Sequence, residues 1–162
     1  EDDWLRLAET LAEKRRIDVW WSEDDSSRLA LLFAYLMTRT ETWEDAELRL
    51  LAPAPKGGEQ KVAANLRYRL EERRIEAEVI PVVDADADAV VERSADATIV
   101  FLPLQVEGSC LLNTFGDPVE RIPRELPLVT MVAAAHDIVL RTEPEPKPPV
   151  DDELPDPDGD VD

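Results

Sequence analysis

One short loop and one histidine have the residue types of a nucleophilic site. Gly108-Ser109-Cys110 offers a hydroxyl and the only thiol of the chain, and His136, the only histidine, is followed by Asp137. A Ser or Cys nucleophile needs a base within hydrogen-bond reach and a third group that orients this base. The simpler interpretation is a small-residue loop and a histidine at a strand end. We therefore predict no catalytic residues and no enzyme.

Metal chemistry has equally little support in the sequence. One histidine and one cysteine cannot build a zinc site. Asp84, Asp86 and Asp88 imitate the first ligands of a calcium loop, but Ala89 and Ala95 stand where that loop needs Gly and Glu. The start of a solvated helix explains these aspartates better, and we predict no metal ligands.

An acidic loop, residues 22–27 (Ser-Glu-Asp-Asp-Ser-Ser), stands where a doubly wound sheet usually binds its ligand. A phosphate-binding turn needs glycines, whereas this loop has none and carries three carboxylates, which would repel a phosphate. We expect the loop to cap the following helix; the alternative is a cation or ligand site. The one-glycine loop 104–110 and the turn Pro55-Lys56-Gly57-Gly58 also fall short of a nucleotide cradle, so we predict no cofactor.

The elements that would position these residues alternate along the chain. Strands are expected at residues 17–21, 47–52, 75–83, 97–102 and 126–133, and helices at 1–16, 28–38, 59–74 and 84–94. Residues 105–124 read as a loop with room for a short helix. The alternation predicts an α/β fold with a doubly wound, mostly parallel five-stranded sheet of order 3-2-1-4-5.

Two apolar features bear on how the layers pack. The helix over 28–38 is apolar nearly all round, which predicts burial on more than one face. Trp20 and Trp21 are neighbours on a predicted strand and should therefore face opposite sides of the sheet, one under each helical layer. The alternative is that one of them contacts a partner.

Composition excludes several function classes. The net charge is −19, which would be repelled by nucleic acid and by anionic lipid surfaces. The longest apolar run, residues 126–135, is far below the ~20 residues of a membrane span. A single cysteine allows no internal disulfide. We predict one α/β domain over 1–142 and a disordered tail over 143–162, which holds nine acidic residues and six prolines; its segment 156–160 offers at most a loose calcium site.

A stretch near the amino terminus resembles a known family. Ile17-Asp18-Val19-Trp20-Trp21, the acidic loop, the helical run from Leu29 to Arg39, and Trp43 followed six residues later by Arg49 are together similar to the C-terminal domain of cation–chloride cotransporters. The resemblance is to prokaryotic members within the amino acid–polyamine–organocation superfamily. It covers residues 13–52 well and weakens afterwards.

The resemblance implies a three-layer sandwich similar in fold to universal stress proteins. It also implies a cytosolic domain at the membrane, joined to a transmembrane transporter of chloride with potassium or sodium. It implies a homodimer that controls transport or assembly, and it assigns no catalytic residues. The alternative hypothesis is a free-standing nucleotide-binding protein of the universal-stress type, which would want a glycine-spaced loop after the fourth strand. A hydrolase-like enzyme that uses Ser109 or Cys110 is the third hypothesis.

Overall fold

The computed structural model describes residues 15–107, 110–116, 126 and 128–135. Within these residues the chain alternates between strands and helices. The strands are β1 Arg16–Trp20, β2 Glu47–Ala54, β3 Glu78–Val83, β4 Ile99–Pro103, β5 Gln105–Glu107, β6 Cys110–Leu112 and β7 Leu128–Val132. The helices are α1 Asp25–Met37, α2 Glu59–Glu72 and α3 Ala87–Ser94.

Five of the strands form one parallel sheet in the order β3-β2-β1-β4-β7. This is the predicted doubly wound topology, with β7 as the fifth strand of the sheet. The direction of winding reverses between β1 and β4, because the chain first proceeds from β1 to β2 and β3 and then returns to β4. The central strands β1 and β4 are almost wholly buried, as expected for strands that are covered on both faces.

The helices form one layer on each face of the sheet. On one face, α1 and α2 pack over Ile17, Val19 and Trp21 of the β1 segment and their neighbours. On the other face, α3 packs with Trp20 and Leu51. The prediction that Trp20 and Trp21 serve opposite layers is confirmed, since both are buried and they belong to different core clusters.

Three local predictions need correction. The loop expected over 105–124 contains an antiparallel hairpin, β5 paired with β6, whose three-residue strands are too short to show a period of two. The leading helix expected over 1–16 cannot reach Arg16, which already pairs with Glu47 in the sheet; residues 1–14 and the tail 143–162 lie outside the described residues. The helix at 28–38 was expected to be buried on more than one face. Its buried side chains Ala30, Leu31 and Ala34 lie on the side that faces the sheet, whereas Phe33 is 44% exposed and Leu36 is 51% exposed.

Among the residues that the structure describes, no helix combines the length and apolar character needed to cross a membrane. The longest of them, α2, has fourteen residues and carries charged side chains along its exposed face.

Candidate functional site: the crevice at the switch point

The crevice expected to hold a ligand lies beyond the carboxyl ends of β1 and β4. The loop after β1 leads directly into α1, and the segment after β4 leads into the hairpin. Two hydrogen bonds join these segments: Gln105 Nε2 donates to Asp24 Oδ2 over 3.4 Å, and Ser26 Oγ donates to the Leu104 carbonyl over 2.9 Å. The two loops therefore contact each other at the point where a doubly wound sheet usually leaves room for a ligand.

Asp24 is the N-cap of α1 and uses both of its carboxylate oxygens. Oδ1 accepts a hydrogen bond from the Ser27 amide over 2.7 Å, and Oδ2 accepts one from Ser22 Oγ over 2.8 Å. Burial alone would raise the pKa of Asp24, but the hydrogen bonds from Ser27, Ser22 and Gln105 outweigh it and lower the pKa below its ordinary value of 3.8. The carboxylate thus occupies the helix N-terminus where an anionic ligand would bind.

Ser26 connects the first turn of α1 to the segments that follow β4 and β7. Its hydroxyl donates to the Leu104 carbonyl and accepts a hydrogen bond from the Ala134 amide over 3.1 Å. The side chain therefore ties the first turn of α1 to the ends of β4 and β7, and the residue is only 7% exposed. Sequence reasoning grouped Ser26 with the acidic loop but gave it no role of its own.

The two remaining serines of the loop, Ser22 and Ser27, bond to each other. Ser27, which is fully buried, accepts a hydrogen bond from the Ser22 amide over 2.9 Å. The two hydroxyl oxygens lie 2.7 Å apart. Because Ser22 spends its only hydroxyl proton on Asp24, Ser27 is the donor between the two hydroxyls. The hydroxyl groups of this loop are therefore hydrogen-bonded to the chain itself.

The remaining two carboxylates of the loop form ion pairs. Glu23 adopts a left-handed conformation with φ of 60° and pairs with Arg69 of α2, with 2.8 Å between Oε2 and Nη1. Asp25 pairs with Arg28 one turn further along α1. All three carboxylates thus have partners within the chain. The predicted capping role holds for Asp24, and the other two carboxylates form ion pairs instead.

The other candidate residues do not assemble into a site in the described part of the chain. Cys110 is exposed on β6, opposite Glu107. Its proposed companions Gly108, Ser109, His136 and Asp137 lie outside the described residues.

The aspartates of the imitated calcium loop have a structural explanation. Asp86 is the N-cap of α3 and accepts a hydrogen bond from the Ala89 amide over 2.8 Å, and Asp88 lies in the first helical turn. No group of three or more metal-binding side chains is found within the ranges that the structure describes.

The two-glycine segment forms a compact turn before α2. Gly57 has φ of 81°, which an L side chain rarely adopts, and the Gly58 amide donates to the Pro55 carbonyl over 2.8 Å. A Cβ atom on Gly58 would lie 2.7 Å from the Pro55 ring. Both glycines are therefore explained by the turn itself, without a bound anion.

One buried polar contact was not predicted from the sequence. Asp18 on β1 is fully buried, and Arg49 on β2 donates two hydrogen bonds to it, over 2.8 Å from Nε and 2.5 Å from Nη2. Arg49 Nη2 also donates to the Arg93 carbonyl of α3 over 3.0 Å. Hydrogen bonding to Asp18 raises the pKa of Arg49, so the guanidinium is charged at every accessible pH. This pair lies on the α3 face of the sheet, away from the crevice.

Fold and crevice together define a doubly wound α/β domain in which the usual ligand position is filled by the chain's own side chains. The model of solute carrier family 12 (SLC12) matches residues 6–99, well over half of the chain. The chain therefore belongs to this family, whose members are transport proteins. No curated protein matches the chain in sequence. The cation–chloride cotransporter resemblance is thus confirmed at the level of the family.

The structure gives a physical reason for two residues of the family-like pattern. Asp18, from the Ile-Asp-Val-Trp-Trp run, and Arg49, six residues after Trp43, are the two ends of the buried ion pair. They lie opposite each other in the register of β1 and β2. Both residues fall inside the matched stretch.

Proposed function

We propose that this chain is a non-catalytic regulatory and dimerisation domain of a cation–chloride cotransporter-like membrane transporter. It acts on the cytoplasmic side of the cell membrane, and its partners are a second copy and the transmembrane part of the same polypeptide. The observation that carries the proposal is the self-bonded crevice of an SLC12 member: Asp24 fills the N-terminus of α1 where a cofactor phosphate would otherwise bind.

The geometry supports a domain that holds its shape without a ligand. Asp24, Ser22, Ser26 and Ser27 are hydrogen-bonded within the chain, so a substrate would have to displace several existing bonds before it gained any. Displacing such bonds without replacing them costs about 1–3 kcal/mol for each polar group left unpaired. The net charge of −19 further disfavours nucleotides, nucleic acid and anionic lipid as partners.

Titration with ATP separates this proposal from the universal-stress alternative. We expect the melting temperature of the chain to stay constant up to millimolar Mg-ATP, because the carboxylate of Asp24 and the hydroxyls of Ser22, Ser26 and Ser27 already bond to the chain where the phosphates would bind. Sodium sulfate at matched ionic strength is the control for general salt effects. A saturable rise in melting temperature specific to ATP would favour the nucleotide-binding alternative.

The regulatory role itself is tested in the complete transporter. In liposomes, Asp18→Ala in this domain should reduce either ion flux or the fraction of dimers, because it leaves Arg49 without its buried partner and destabilises the domain. Arg69→Ala, which removes only an exposed ion pair, is the matched control and should leave both unchanged. If Asp18→Ala leaves both flux and dimerisation intact, the domain controls neither, and the proposal is wrong.

A further inference from the structure

A cleft opens at the edge of the sheet where the strands begin, opposite the crevice. Its walls come from the last turn of α1, from the segment that leads into β2 and from the segment between α2 and β3. The cleft has a volume of about 230 Å³, and its lining atoms are mainly polar. The polar side chains that line this α1–α2 cleft are Tyr35, Thr38, Arg39, Glu44, Arg74 and Glu76.

The four charged side chains of the cleft, Arg39, Glu44, Arg74 and Glu76, form no ion pair within the part of the chain that the structure describes. Other arginines of the same part do pair with carboxylates, namely Arg16, Arg28, Arg49, Arg69 and Arg73. Two guanidinium groups and two carboxylates thus line one small space without neutralising each other. The cleft has no net charge, although the chain carries −19.

Arg39 is positioned by an aromatic ring. Its guanidinium lies 5.7 Å from the centre of the Tyr35 ring. Tyr35 packs against the apolar cluster under α1 and α2, and its carbonyl accepts a 2.7 Å hydrogen bond from the Thr38 hydroxyl. A guanidinium that lies over an aromatic ring keeps the N–H groups at its edge available for other acceptors. Arg39 can therefore donate to a ligand in the cleft.

Arg74 stands at a position where glycine is usual. The Arg74 amide donates to the Glu71 carbonyl and the Ile75 amide to the Leu70 carbonyl, each over 3.0 Å, which are the two bonds of a Schellman motif at the end of α2. Arg74 has the left-handed conformation that this motif requires, with φ of 53°. Glycine adopts this conformation without strain, whereas an L side chain does not. The helix end thus does not explain the arginine, and a role of its side chain in the cleft does.

The charges of the cleft indicate which ligand chemistry it suits. Guanidinium groups bind carboxylates through paired hydrogen bonds, and free carboxylates accept hydrogen bonds from an ammonium group. Glu44, Glu76 and the net charge of the chain disfavour a phosphate or another polyanion, whereas a zwitterion is not repelled. Because Arg39 already lies over the Tyr35 ring, this face is not available to a quaternary ammonium group. The volume is below the range of pockets for drug-sized ligands, about 300–1,000 Å³.

We propose that the α1–α2 cleft binds a small zwitterion that carries one carboxylate and one primary ammonium group. Arg39 and Arg74 donate hydrogen bonds to the carboxylate of the ligand, and Glu44 and Glu76 accept hydrogen bonds from its ammonium group. The site lies at the opposite edge of the sheet from the crevice. It is independent of the proposed transporter role, and its test uses the chain alone.

NMR titration tests the site and its ligand class. The probes are glycine, β-alanine and γ-aminobutyrate, which carry the same two charges at increasing separation. At constant ionic strength, at least one of them should shift the Nε–H signals of Arg39 and Arg74 saturably. Acetate and methylammonium, with one charge each, and glycine betaine, whose quaternary ammonium donates no hydrogen bond, should bind about tenfold more weakly than this probe. No saturable shift with any of the three probes, or equal binding of acetate, methylammonium or glycine betaine, overturns the proposal.

Arg74→Gly separates binding by the side chain from a structural role. Because glycine suits the left-handed position, the melting temperature should stay the same or rise. The affinity for the best probe should nevertheless fall about tenfold. Arg67→Ala is the matched control, since it removes the same charge from an exposed position of α2 outside the cleft, and it should leave the affinity unchanged. An affinity that survives Arg74→Gly, or that falls equally in Arg67→Ala, contradicts the proposal.

Glu76→Gln tests the carboxylate side of the cleft with the opposite sign for a simple anion. It should weaken binding of the best probe about tenfold, because the ammonium group loses a charged acceptor. Acetate should bind as before or more tightly, because a negative charge has been removed from the cleft. If Glu76→Gln weakens both ligands equally, Glu76 does not contact the ammonium group and the proposal is wrong.

Discussion

The two faces of the sheet are closed by different kinds of interaction. On one face, α1 and α2, with thirteen and fourteen residues, bury a continuous apolar cluster that includes Trp21, Leu31 and Leu50. On the other face, α3 has only eight residues. There the apolar cluster around Trp20 is supplemented by two buried polar contacts: the Asp18–Arg49 ion pair and a 3.2 Å hydrogen bond from Trp20 Nε1 to Ser94 Oγ.

The difference shows what a short helix needs in order to be positioned. Two turns of helix bury little apolar surface, and α3 offers only Val90 and Ser94 as fully buried side chains. Both polar contacts end on the last residues of α3, at the Arg93 carbonyl and the Ser94 hydroxyl. Directional bonds thus fix the carboxyl end of a helix that apolar packing alone would hold weakly. On the other face, Ser26 makes comparable polar contacts at the first turn of α1, and the remaining turns of α1 pack on the sheet through apolar side chains such as Leu31.

Removal of the buried carboxylate should have the largest effect. Asp18→Ala leaves Arg49 buried to a large extent without its partner, and we expect it to lower the free energy of unfolding by about 3–5 kcal/mol. Urea unfolding measures this loss. The double variant Asp18→Leu with Arg49→Met removes both charges and should recover most of the stability. If Asp18→Ala costs less than about 1 kcal/mol, a typical value for an exposed pair, the ion pair does not hold the α3 face.

Two neighbouring leucines on β2 compare the apolar parts of the two faces directly. Leu50 belongs to the cluster under α1 and α2, and Leu51 to the cluster under α3. Leu50→Ala should cost about 4 kcal/mol and Leu51→Ala about 2–3 kcal/mol, because the cavity under α3 lies in a smaller cluster that can partly collapse. Urea unfolding of the two variants gives the difference. A larger loss for Leu51→Ala would reverse the comparison and make apolar packing the main support of α3.

The topology of the sheet could be predicted from the sequence because its strands are nearly continuous apolar runs. The fourth strand of the sheet, for example, contains the apolar run Val100, Phe101 and Leu102, which is typical of a buried strand. The amphipathic helix predicted at 59–74 lies between the second and third strands and indicates a crossover connection between them. The hairpin of β5 and β6 could not be predicted in this way, since three residues per strand carry no measurable period. The exposure of Phe33 and Leu36 was missed because an apolar sequence does not state which surface covers it.

The polar contacts of the site were only partly predictable. The lack of glycine in residues 22–27 indicated a capping loop, and the structure assigns the cap to Asp24. The partners of Ser26, the carbonyl of Leu104 and the amide of Ala134, are 78 and 108 positions away, and no local pattern reports such distant contacts. The pairing of Asp18 with Arg49 depends in the same way on the register between two strands.

The hydroxyl of Ser94 should have an intermediate effect. Ser94→Ala leaves the buried Trp20 Nε1 without its acceptor, and we expect a loss of about 1–2 kcal/mol. Urea unfolding monitored by tryptophan fluorescence measures it. Ser26→Ala on the other face is not a matched control because it removes two hydrogen bonds, so Ser94→Thr, which keeps a hydroxyl, serves as the control. An unchanged stability in Ser94→Ala would show that the end of α3 is held by the Arg49 contact alone.

The two aspartate caps give the smallest effect and extend the comparison to the helix starts. Asp24 caps α1 and Asp86 caps α3, each through a bond to the amide three residues on. Either change to Ala should lower the free energy of unfolding by about 1 kcal/mol.

The stabilisation by Asp24 should also depend on pH. The pKa of Asp24 is lowered in the folded chain, so the stability contributed by its charge is present above pH 3.8 and is lost as the pH falls through the lowered pKa. Because many other carboxylates titrate in this range, the informative quantity is the difference in unfolding free energy between the unmodified chain and Asp24→Asn, which still caps the helix but cannot titrate. This difference should shift in favour of Asp24→Asn between about pH 4 and pH 2, and a constant difference would mean that the charge of Asp24 does not stabilise the closed crevice.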